Sequence, residues 1–106
     1  MSTKNSISYE DLCAAAEVLK VLTHADRLAI CQHLLEKEHS VGGLCTLLSL
    51  KQNVVSQHLS HLRARSIVSS RREGKTVFYS VTHPAPGWLL SCIGEHYNQG
   101  GKNRAK

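Results

Sequence analysis

Residues 52–81 read QNVVSQHLSHLRARSIVSSRREGKTVFYSV, and their pattern is the most informative about the fold. Its first part, residues 52–65, carries apolar side chains at positions i, i+4 and i+7, namely Val55, Leu59 and Leu62. That spacing places the three side chains on one face of an α-helix, because a helix turns once in about 3.6 residues. Polar residues fill most other positions, so we predict a helix with one buried face and one exposed face.

The second part of the stretch changes to the pattern of a β-hairpin. Residues 67–72 read as a strand, and residues 76–81, TVFYSV, are rich in β-branched and aromatic side chains. The pair Glu73-Gly74 lies between them, and a glycine between two such runs is typical of a hairpin turn. We therefore predict that the helix is followed directly by two antiparallel strands.

Three more helices precede this stretch and one follows it. Apolar residues at helical spacing predict helices over 9–22 and 24–38. A short third helix contains two glycines, which lower its intrinsic helicity, and a last helix is predicted over 86–98. The expected N-caps of the first three helices are Ser8, Thr23 and Ser40.

These elements fit one domain, because 106 residues are enough for a single hydrophobic core. We expect a flexible N-terminus over 1–8, a folded domain over 9–98 and a flexible basic tail over 99–106. The predicted fold class is mainly α with a small β-hairpin (α+β): four helices, two strands and a last helix. Two helices in close succession before a hairpin form a winged helix-turn-helix.

The charge is distributed unevenly along the chain. The net charge is +5, yet residues 1–50 carry four basic and six acidic side chains, whereas residues 51–106 carry nine basic and two acidic ones. A basic half on a small domain is the electrostatic pattern expected of a protein that binds nucleic acid. A basic face that only contacts solvent explains the charge equally well, so charge alone does not decide.

The predicted helix over 52–65 offers side chains suited to reading DNA. Its apolar stripe can hold it in the core, while short amide and hydroxyl groups face the base edges in the major groove. The hairpin adds cations that can lie along the DNA backbone. The candidate DNA-binding residues are Lys51, Gln52, Asn53, Ser56, Gln57, His58 and His61, with Arg71, Arg72 and Lys75 in the hairpin.

Composition argues against several other classes of protein. No apolar run approaches the roughly 20 residues of a transmembrane helix, and the N-terminal residues have no signal-peptide core, so we expect a cytoplasmic protein without a membrane partner. The four cysteines are widely spaced and should be reduced thiols. The sequence shows no nucleophile–base pair, no phosphate-binding glycine loop and no paired carboxylates, which are the features that would indicate an enzyme.

Three segments carry a resemblance to a known family. They are LTHADRLAICQHL (22–34), SVGGL (40–44) and VVSQHLSHLRARSIVSSRREGKTVFYSV (54–81). Together they resemble the ArsR/SmtB family of bacterial repressors. The resemblance implies a sequence-specific repressor that acts as a homodimer on an inverted-repeat, double-stranded operator and is released by a metal ion or by a thiol-reactive or redox effector.

The resemblance also implies which helices form the dimer. In that family the first and last helices, here 9–22 and 86–98, meet across the two-fold axis. The third and fourth helices form the helix-turn-helix, and the hairpin forms the wing. The positions that match the interface are Leu12, Ala15 and Leu19 on the first helix and Trp88, Leu89, Cys92 and Ile93 on the last.

The chain departs from the family at two helix starts. Ala25 stands where many members have proline, and Lys51 stands where they usually have a capping serine. Loss of that cap costs about 1 kcal/mol, and a lysine also opposes the helix dipole. A nearby phosphate would relieve both problems, so we hypothesise that Lys51 contacts the DNA backbone.

No cofactor is certain from the sequence, and the metal ligands of the family are incomplete. The Cys-x-Cys pair of its third-helix site is absent. His83 and His96 match two ligand positions of its last-helix site, but Ala85 and Gln99 occupy the others. Two imidazoles from different subunits can still contribute to a Zn²⁺ or Ni²⁺ site. His83 and His96 are thus the candidate metal ligands, and ordinary surface histidines are the alternative.

The thiol-sensing positions of the family are also unfilled. Cys31 lies one residue out of register, which favours a small core residue over a sensor. Cys13 on the first helix could approach Cys92 at the dimer interface, and these two are the candidates for a thiol pair. Two functional alternatives remain: a winged-helix regulator without a small-molecule effector, and a winged-helix module that binds protein.

Overall fold

The computed structural model describes residues 6–104 and the side chains of residues 6–98. Five helices and a three-stranded sheet are found in that part of the chain, which confirms the predicted winged helix-turn-helix class. In chain order they are α1 (Tyr9–Leu22), α2 (Ala25–Glu36), β1 (His39–Ser40), α3 (Val41–Leu48), α4 (Gln52–Ala64), β2 (Val68–Glu73), β3 (Thr76–Val81) and α5 (Pro84–Arg104).

Two of the three predicted N-caps are confirmed. The hydroxyl of Ser8 accepts a hydrogen bond from the backbone N–H of Asp11 at 3.0 Å. The hydroxyl of Ser40 likewise accepts from the N–H of Gly43 at 3.1 Å. Each bond satisfies an amide that has no partner within its helix, so both helices begin where the sequence indicates.

The predicted cap of α2 is wrong. His24, not Thr23, is the N-cap, and its Nδ1 accepts from the N–H of Asp26 at 3.3 Å. The hydroxyl of Thr23 instead donates to the carbonyl of Lys20 at the end of α1, at 2.8 Å. The two short polar side chains therefore serve different helices, and an imidazole stands at the start of α2.

A two-residue strand, β1, was not indicated by the sequence. It pairs antiparallel with β3, with His39 opposite Tyr79 and Ser40 opposite Phe78, and the sheet order is β1-β3-β2. Because Lys37 already has an extended backbone, α2 ends at Glu36 rather than at residue 38. The pairing fixes the chain just before α3 against the hairpin.

The hairpin forms where the sequence predicts it, but its first strand lies one residue later than predicted, so the turn is Gly74-Lys75 rather than Glu73-Gly74. β2 and β3 pair from Val68 opposite Val81 to Glu73 opposite Thr76, which leaves a two-residue turn. Gly74 in that turn has a φ of 64°, a conformation that glycine adopts without the steric cost of a Cβ atom.

The core lies under the helix-turn-helix. The predicted apolar stripe of α4, Val55, Leu59 and Leu62, is fully buried. It packs with apolar side chains of α1, α2, α3 and the start of β2 in one cluster. The other buried members of that cluster are Leu22, Ile30, Cys31, Leu34, Leu44, Ile67 and Val68.

The last helix is longer than predicted. The helix α5 starts at Pro84 and continues to Arg104, so it includes most of the segment 99–106 expected as a flexible tail. Proline is tolerated in a first helical turn, and no later proline interrupts the backbone hydrogen bonds. The expected flexibility of residues 1–5 and 105–106 lies outside the described residues. None of the described helices is both long and apolar enough to cross a bilayer.

Candidate nucleic-acid interface

A sharp turn joins α3 to α4. Ser49 has a φ of 56°, in the left-handed region, and ends α3. The N–H of Leu50 donates to the carbonyl of Cys45 at 3.2 Å, and Lys51 is extended. This turn satisfies carbonyls at the end of α3 and redirects the chain into α4. The two helices pack against each other as a helix-turn-helix.

The exposed face of α4 carries the predicted amides. Val55 and Leu59 point inward, so polar positions on the opposite side of the helix face solvent. Exposed side chains on this helix include Gln52, Asn53, Gln57, Ser60 and His61, and Ser56 is half-buried. Asn53 and Gln57, one turn apart, therefore lie on the same outer face as an imidazole, which is a set that can pair with base edges.

Lys51 stands exposed at the start of α4. It is the N-cap residue, with φ −74° and ψ 154°, but its side chain makes no capping hydrogen bond. The first backbone N–H groups of α4 have no partner within the helix, and they lie at the positive end of the helix dipole. A lysine ammonium next to these amides makes this helix end attractive to an anion such as a phosphate.

All three hairpin cations are exposed, and two of them lie at or near its tip. Lys75 lies in the turn, and Arg72 stands opposite Val77 on the outer part of β2. The strand β2 packs against α4, so this end of the hairpin belongs to the same unit as the helix with the exposed amides. The arrangement is that of a wing beside a recognition helix.

Arg71 is engaged by acidic side chains. Its Nε and NH2 donate to the carboxylate of Glu38 at 2.9 and 2.8 Å, and NH1 donates to Glu73 at 3.3 Å. Its guanidinium also lies 5.1 Å from the ring centre of Phe78, its partner across the strands. The hydrogen bonds from Arg71 lower the pKa of the Glu38 carboxyl and raise the pKa of Arg71. Arg71 must therefore exchange a carboxylate for a phosphate if it contacts DNA.

His58 does not belong to the exposed face of α4. Its exposed fraction is 8%, and its Nδ1 accepts a hydrogen bond from Arg27 Nε at 3.1 Å. The pKa of His58 is lowered mainly by burial and, to a smaller extent, by the neighbouring His24 and Arg27. The side chain of His58 therefore does not lie on the face predicted to contact DNA, because α4 directs it toward α2.

Known proteins resemble the chain in sequence and in fold. Residues 24–70 match the family described as "Bacterial regulatory protein, arsR family". The transcriptional activator HlyU of Vibrio cholerae is 43% identical over 85 residues, which are 80% of this chain and 79% of HlyU. The chain belongs to the ArsR family. This is a family of transcriptional regulators that bind DNA through a winged helix-turn-helix, not of enzymes.

Two further proteins are similar to this ArsR-family chain. A biofilm growth-associated repressor of Agrobacterium fabrum is 37% identical over 78 residues, covering 74% of this chain and 67% of that protein. The crystal structure of NolR from Sinorhizobium fredii superposes with a TM-score of 0.77 at 34% identity, covering 88% of this chain and 96% of NolR.

The side chains expected at the dimer interface of this ArsR-family protein form an exposed apolar surface. Leu12, Leu19 and Trp88 are 48%, 44% and 71% exposed, and Ala15 and Cys92 are also exposed. A groove of about 390 Å³ lies between α1 and the start of α5. The half-buried members of the predicted set are Leu89 and Ile93. Single exposed apolar residues are common, but this set occupies two neighbouring helices.

The predicted metal candidates His83 and His96 are not brought together within one chain. His83 lies in the loop before α5, where its Nδ1 accepts from the N–H of Ala85 at 3.0 Å. His96 lies three turns along α5, and its ring contacts that of Tyr97 with centres 4.8 Å apart. A site that uses both histidines needs a second subunit, and the assignment stays a prediction.

The four cysteines of this ArsR-family protein differ in exposure. Cys13 and Cys92 are exposed, Cys45 is half-buried and Cys31 is buried. Burial raises the pKa of Cys31 to about 11, so its thiolate is scarce at neutral pH. The interpretation of Cys31 as a core residue fits this position.

Sequence reasoning missed one cluster of potential ligands. His24, Asp26 and His58 each place a ligating atom within 4.8 Å of the other two. The pair His24 and Asp26 is visible in the sequence as His-x-Asp at a helix start. Its third member, His58, lies on another helix, so only the fold brings it near.

Proposed function

We propose that this protein is a homodimeric transcriptional repressor of an inverted-repeat operator. The helix α4 of each subunit enters a major groove, and the hairpin lies along the flanking backbone. The observation that carries the proposal is the exposed row of Asn53, Gln57 and His61 on a helix whose opposite face is buried in the core. Amides paired to adenine edges supply discrimination, and Lys51, Arg72 and Lys75 supply affinity for phosphates.

The exposed apolar surface of α1 and α5 supports the dimer. Burying Leu19 and Trp88 against a second copy removes large apolar side chains from water. A two-fold axis through this surface presents one α4 on each side. Half-sites are then expected about one helical turn, roughly 34–36 Å, apart or at a multiple of that spacing.

The direction of regulation is proposed as repression. The similar protein of Agrobacterium fabrum is named a repressor, whereas HlyU is named an activator. A dimer seated on an operator that overlaps a promoter blocks polymerase without any further partner, which makes repression the simpler mechanism. A promoter–reporter assay with and without the protein tests the sign.

We further propose that a metal ion or a thiol-reactive effector releases the DNA, and that the protein acts in the cytoplasm, where its operator lies. His83 with His96, and Cys13 with Cys92, remain the candidates that the sequence suggests for such a sensor. All four side chains lie on or beside α1 and α5, so each pair would report on the dimer.

Fluorescence anisotropy with a labelled duplex from upstream of the protein's own operon tests the proposal. We expect specific binding to exceed binding to a scrambled duplex by a factor of about 10³ or more. The affinity should fall steeply between 50 and 200 mM salt, since each neutralised phosphate releases counterions. Repeating the titration with Zn²⁺, Ni²⁺, As(III), persulfide and peroxide identifies the class of effector.

The double variant Asn53→Ala/Gln57→Ala is the informative one. It should reduce the ratio of specific to scrambled affinity while leaving binding to scrambled DNA almost unchanged. Gln32→Ala removes an exposed amide from α2 and serves as the control. Equal affinity of the unmodified protein for both duplexes would refute sequence-specific binding.

A further inference from the structure

We propose that His24, Asp26 and His58 form a binding site for one divalent ion of the zinc class (Zn²⁺, Co²⁺ or Ni²⁺), between the start of α2 and the middle of α4. The site goes beyond the DNA-binding function and does not require DNA. One ligating atom of each residue lies within 4.8 Å of the other two. Two imidazoles and one carboxylate are a donor set typical of a zinc site with an open fourth position.

The distances are close to those of a formed site. His58 Nε2 lies 3.8 Å from Asp26 Oδ2, which is beyond hydrogen-bond distance. In a tetrahedral zinc site with bonds of about 2.1 Å, neighbouring ligand atoms are about 3.4 Å apart. A small movement therefore brings the carboxylate and the imidazole into place. The Nδ1 of His24 accepts from the N–H of Asp26, which leaves its Nε2 for the ion. His24 is exposed, so water can occupy the fourth position.

His58 is the most buried ligand of the site. Its side chain is only 10% exposed, and its Nδ1 is occupied by the hydrogen bond from Arg27 Nε. The nitrogen that remains for an ion is Nε2, which faces Asp26. Asp26 also supplies negative charge. A dication needs that charge here because the nearby Arg27 guanidinium is positively charged.

Metal binding changes the hydrogen bonds of Arg27. Because a guanidinium only donates hydrogen bonds, neutral His58 accepts from Arg27 at Nδ1 and carries its own proton on Nε2. An ion on Nε2 requires the other neutral tautomer of His58: the Nε2 proton is lost to water, and Nδ1 takes up one proton from water. Two donors would face each other there, so Arg27 must leave His58. Arg27 NH1 also donates to the Val21 carbonyl in α1 at 3.2 Å. The ion thus loosens a link between α1 and α4.

Metal titration of the untagged full chain tests the site. We expect one Co²⁺ per chain, with the visible absorption of a tetrahedral N/O complex, and competition by Zn²⁺. His24→Asn keeps a capping side chain at the start of α2 but removes an imidazole, and Asp26→Asn removes the carboxylate. Each should weaken zinc binding at least about 100-fold, since loss of a group that only supports a ligand already costs about 10–100-fold.

Three histidine variants separate this site from other sources of binding. His33→Ala removes an imidazole from α2 outside the cluster, and its affinity should equal that of the unmodified protein. His83→Ala and His96→Ala should also retain the ion. Loss of zinc in those two variants, or unchanged affinity in His24→Asn and Asp26→Asn, would overturn the proposal. No uptake at micromolar zinc would assign the cluster a structural role only.

Nitrogen-15 NMR of the imidazoles gives a second readout that folding defects do not imitate. Without metal, the proton of His58 should reside on Nε2; at saturating Zn²⁺ it should reside on Nδ1. A His58 that keeps its Nε2 proton at saturation contradicts the site. Because neither measurement uses DNA, failure of the operator assay leaves this result interpretable.

Discussion

Arg71 and Glu38 are 33 positions apart in sequence and are joined by a two-bond fork, with Nε and NH2 of the guanidinium at 2.9 and 2.8 Å from the carboxylate. The fork ties the hairpin to the segment that precedes α3. It also occupies the cation that the sequence assigns to the DNA backbone. Arg71 can bind a phosphate with the same fork geometry, so the two anions compete for it.

Glu38→Gln should strengthen binding to DNA of any sequence, by about twofold to fivefold, because exposed ion pairs are weak and easily exchanged. The variant should also steepen the dependence of affinity on salt, which anisotropy at several salt concentrations measures. Glu73→Gln is the matched control, since it removes the same charge but only one contact of 3.3 Å to Arg71. If both variants gained the same affinity for DNA, the effect would come from the removed charge rather than from the fork between Glu38 and Arg71.

The fork also gives a pH dependence. Arg71 lowers the pKa of Glu38, so the carboxylate binds Arg71 more strongly in the folded than in the unfolded chain. Its contribution to stability is therefore present above the unfolded pKa and is lost as the pH falls through the lowered, folded pKa. Urea unfolding of the unmodified protein and of Glu38→Gln should converge as the solution is acidified. A constant difference down to strongly acidic pH would contradict the ion pair.

Lys51→Ser should separate stability from DNA affinity. The extended backbone at Lys51 suits an N-cap, but lysine makes no capping bond. Serine would supply that bond and should raise the free energy of unfolding by about 1 kcal/mol. At the same time the loss of one phosphate contact should lower the salt slope by about 0.9 per subunit. Lys51→Ala checks the second effect alone, and an unchanged slope there would count against a contact of Lys51 with the backbone.

Gln57 and His58 are neighbours in sequence with opposite expected phenotypes. Gln57→Ala should change the free energy of unfolding by less than about 0.5 kcal/mol, yet reduce discrimination between operator and scrambled DNA by about 1–3 kcal/mol. His58→Ala, measured with a chelator present, should lower the free energy of unfolding by about 1–3 kcal/mol, since Arg27 loses a part-buried acceptor. Reversed phenotypes would mean that α4 is rotated relative to the core.

Leu19→Glu tests the proposed dimer. Placing a charge on the exposed apolar surface of α1 should convert the dimer to a monomer in light scattering and abolish operator binding at nanomolar concentration, because a buried unpaired charge is costly. Leu47→Glu is the control: Leu47 on α3 is 47% exposed against 44% for Leu19, but it lies outside α1 and α5. Retention of the dimer in Leu19→Glu would rule out this surface.

Cys31 should be inert to thiol reagents in the folded protein. Its pKa is raised to about 11 by burial, so about 0.1% is thiolate at pH 8. Mass spectrometry after iodoacetamide treatment should find Cys31 alkylated at least about 100-fold more slowly in buffer than in urea. Cys13, which is exposed on α1, is the internal reference. Rapid alkylation of Cys31 in buffer would show that the core around α2 opens readily.

Helices with a clear apolar stripe were predictable. The bounds of α1 and α4 agree with the prediction to within one residue, because Leu59 and its helical neighbours repeat at the spacing of one face. Helix boundaries that depend on residues distant in the sequence were not predictable. The end of α2 is set by pairing of His39 with Tyr79, and no local pattern encodes that pairing.

Residue patterns alone were enough to predict the order of helices and hairpin, the basic half and the family. These follow from periodicity, turn residues and charge, which are local properties of the chain. Three features emerge only when the chain is folded: His58 faces Arg27 rather than solvent, Glu38 pairs with Arg71, and His24 and Asp26 lie beside His58. Such contacts join residues more than thirty positions apart, and packing of the helices, not local preference, brings them together.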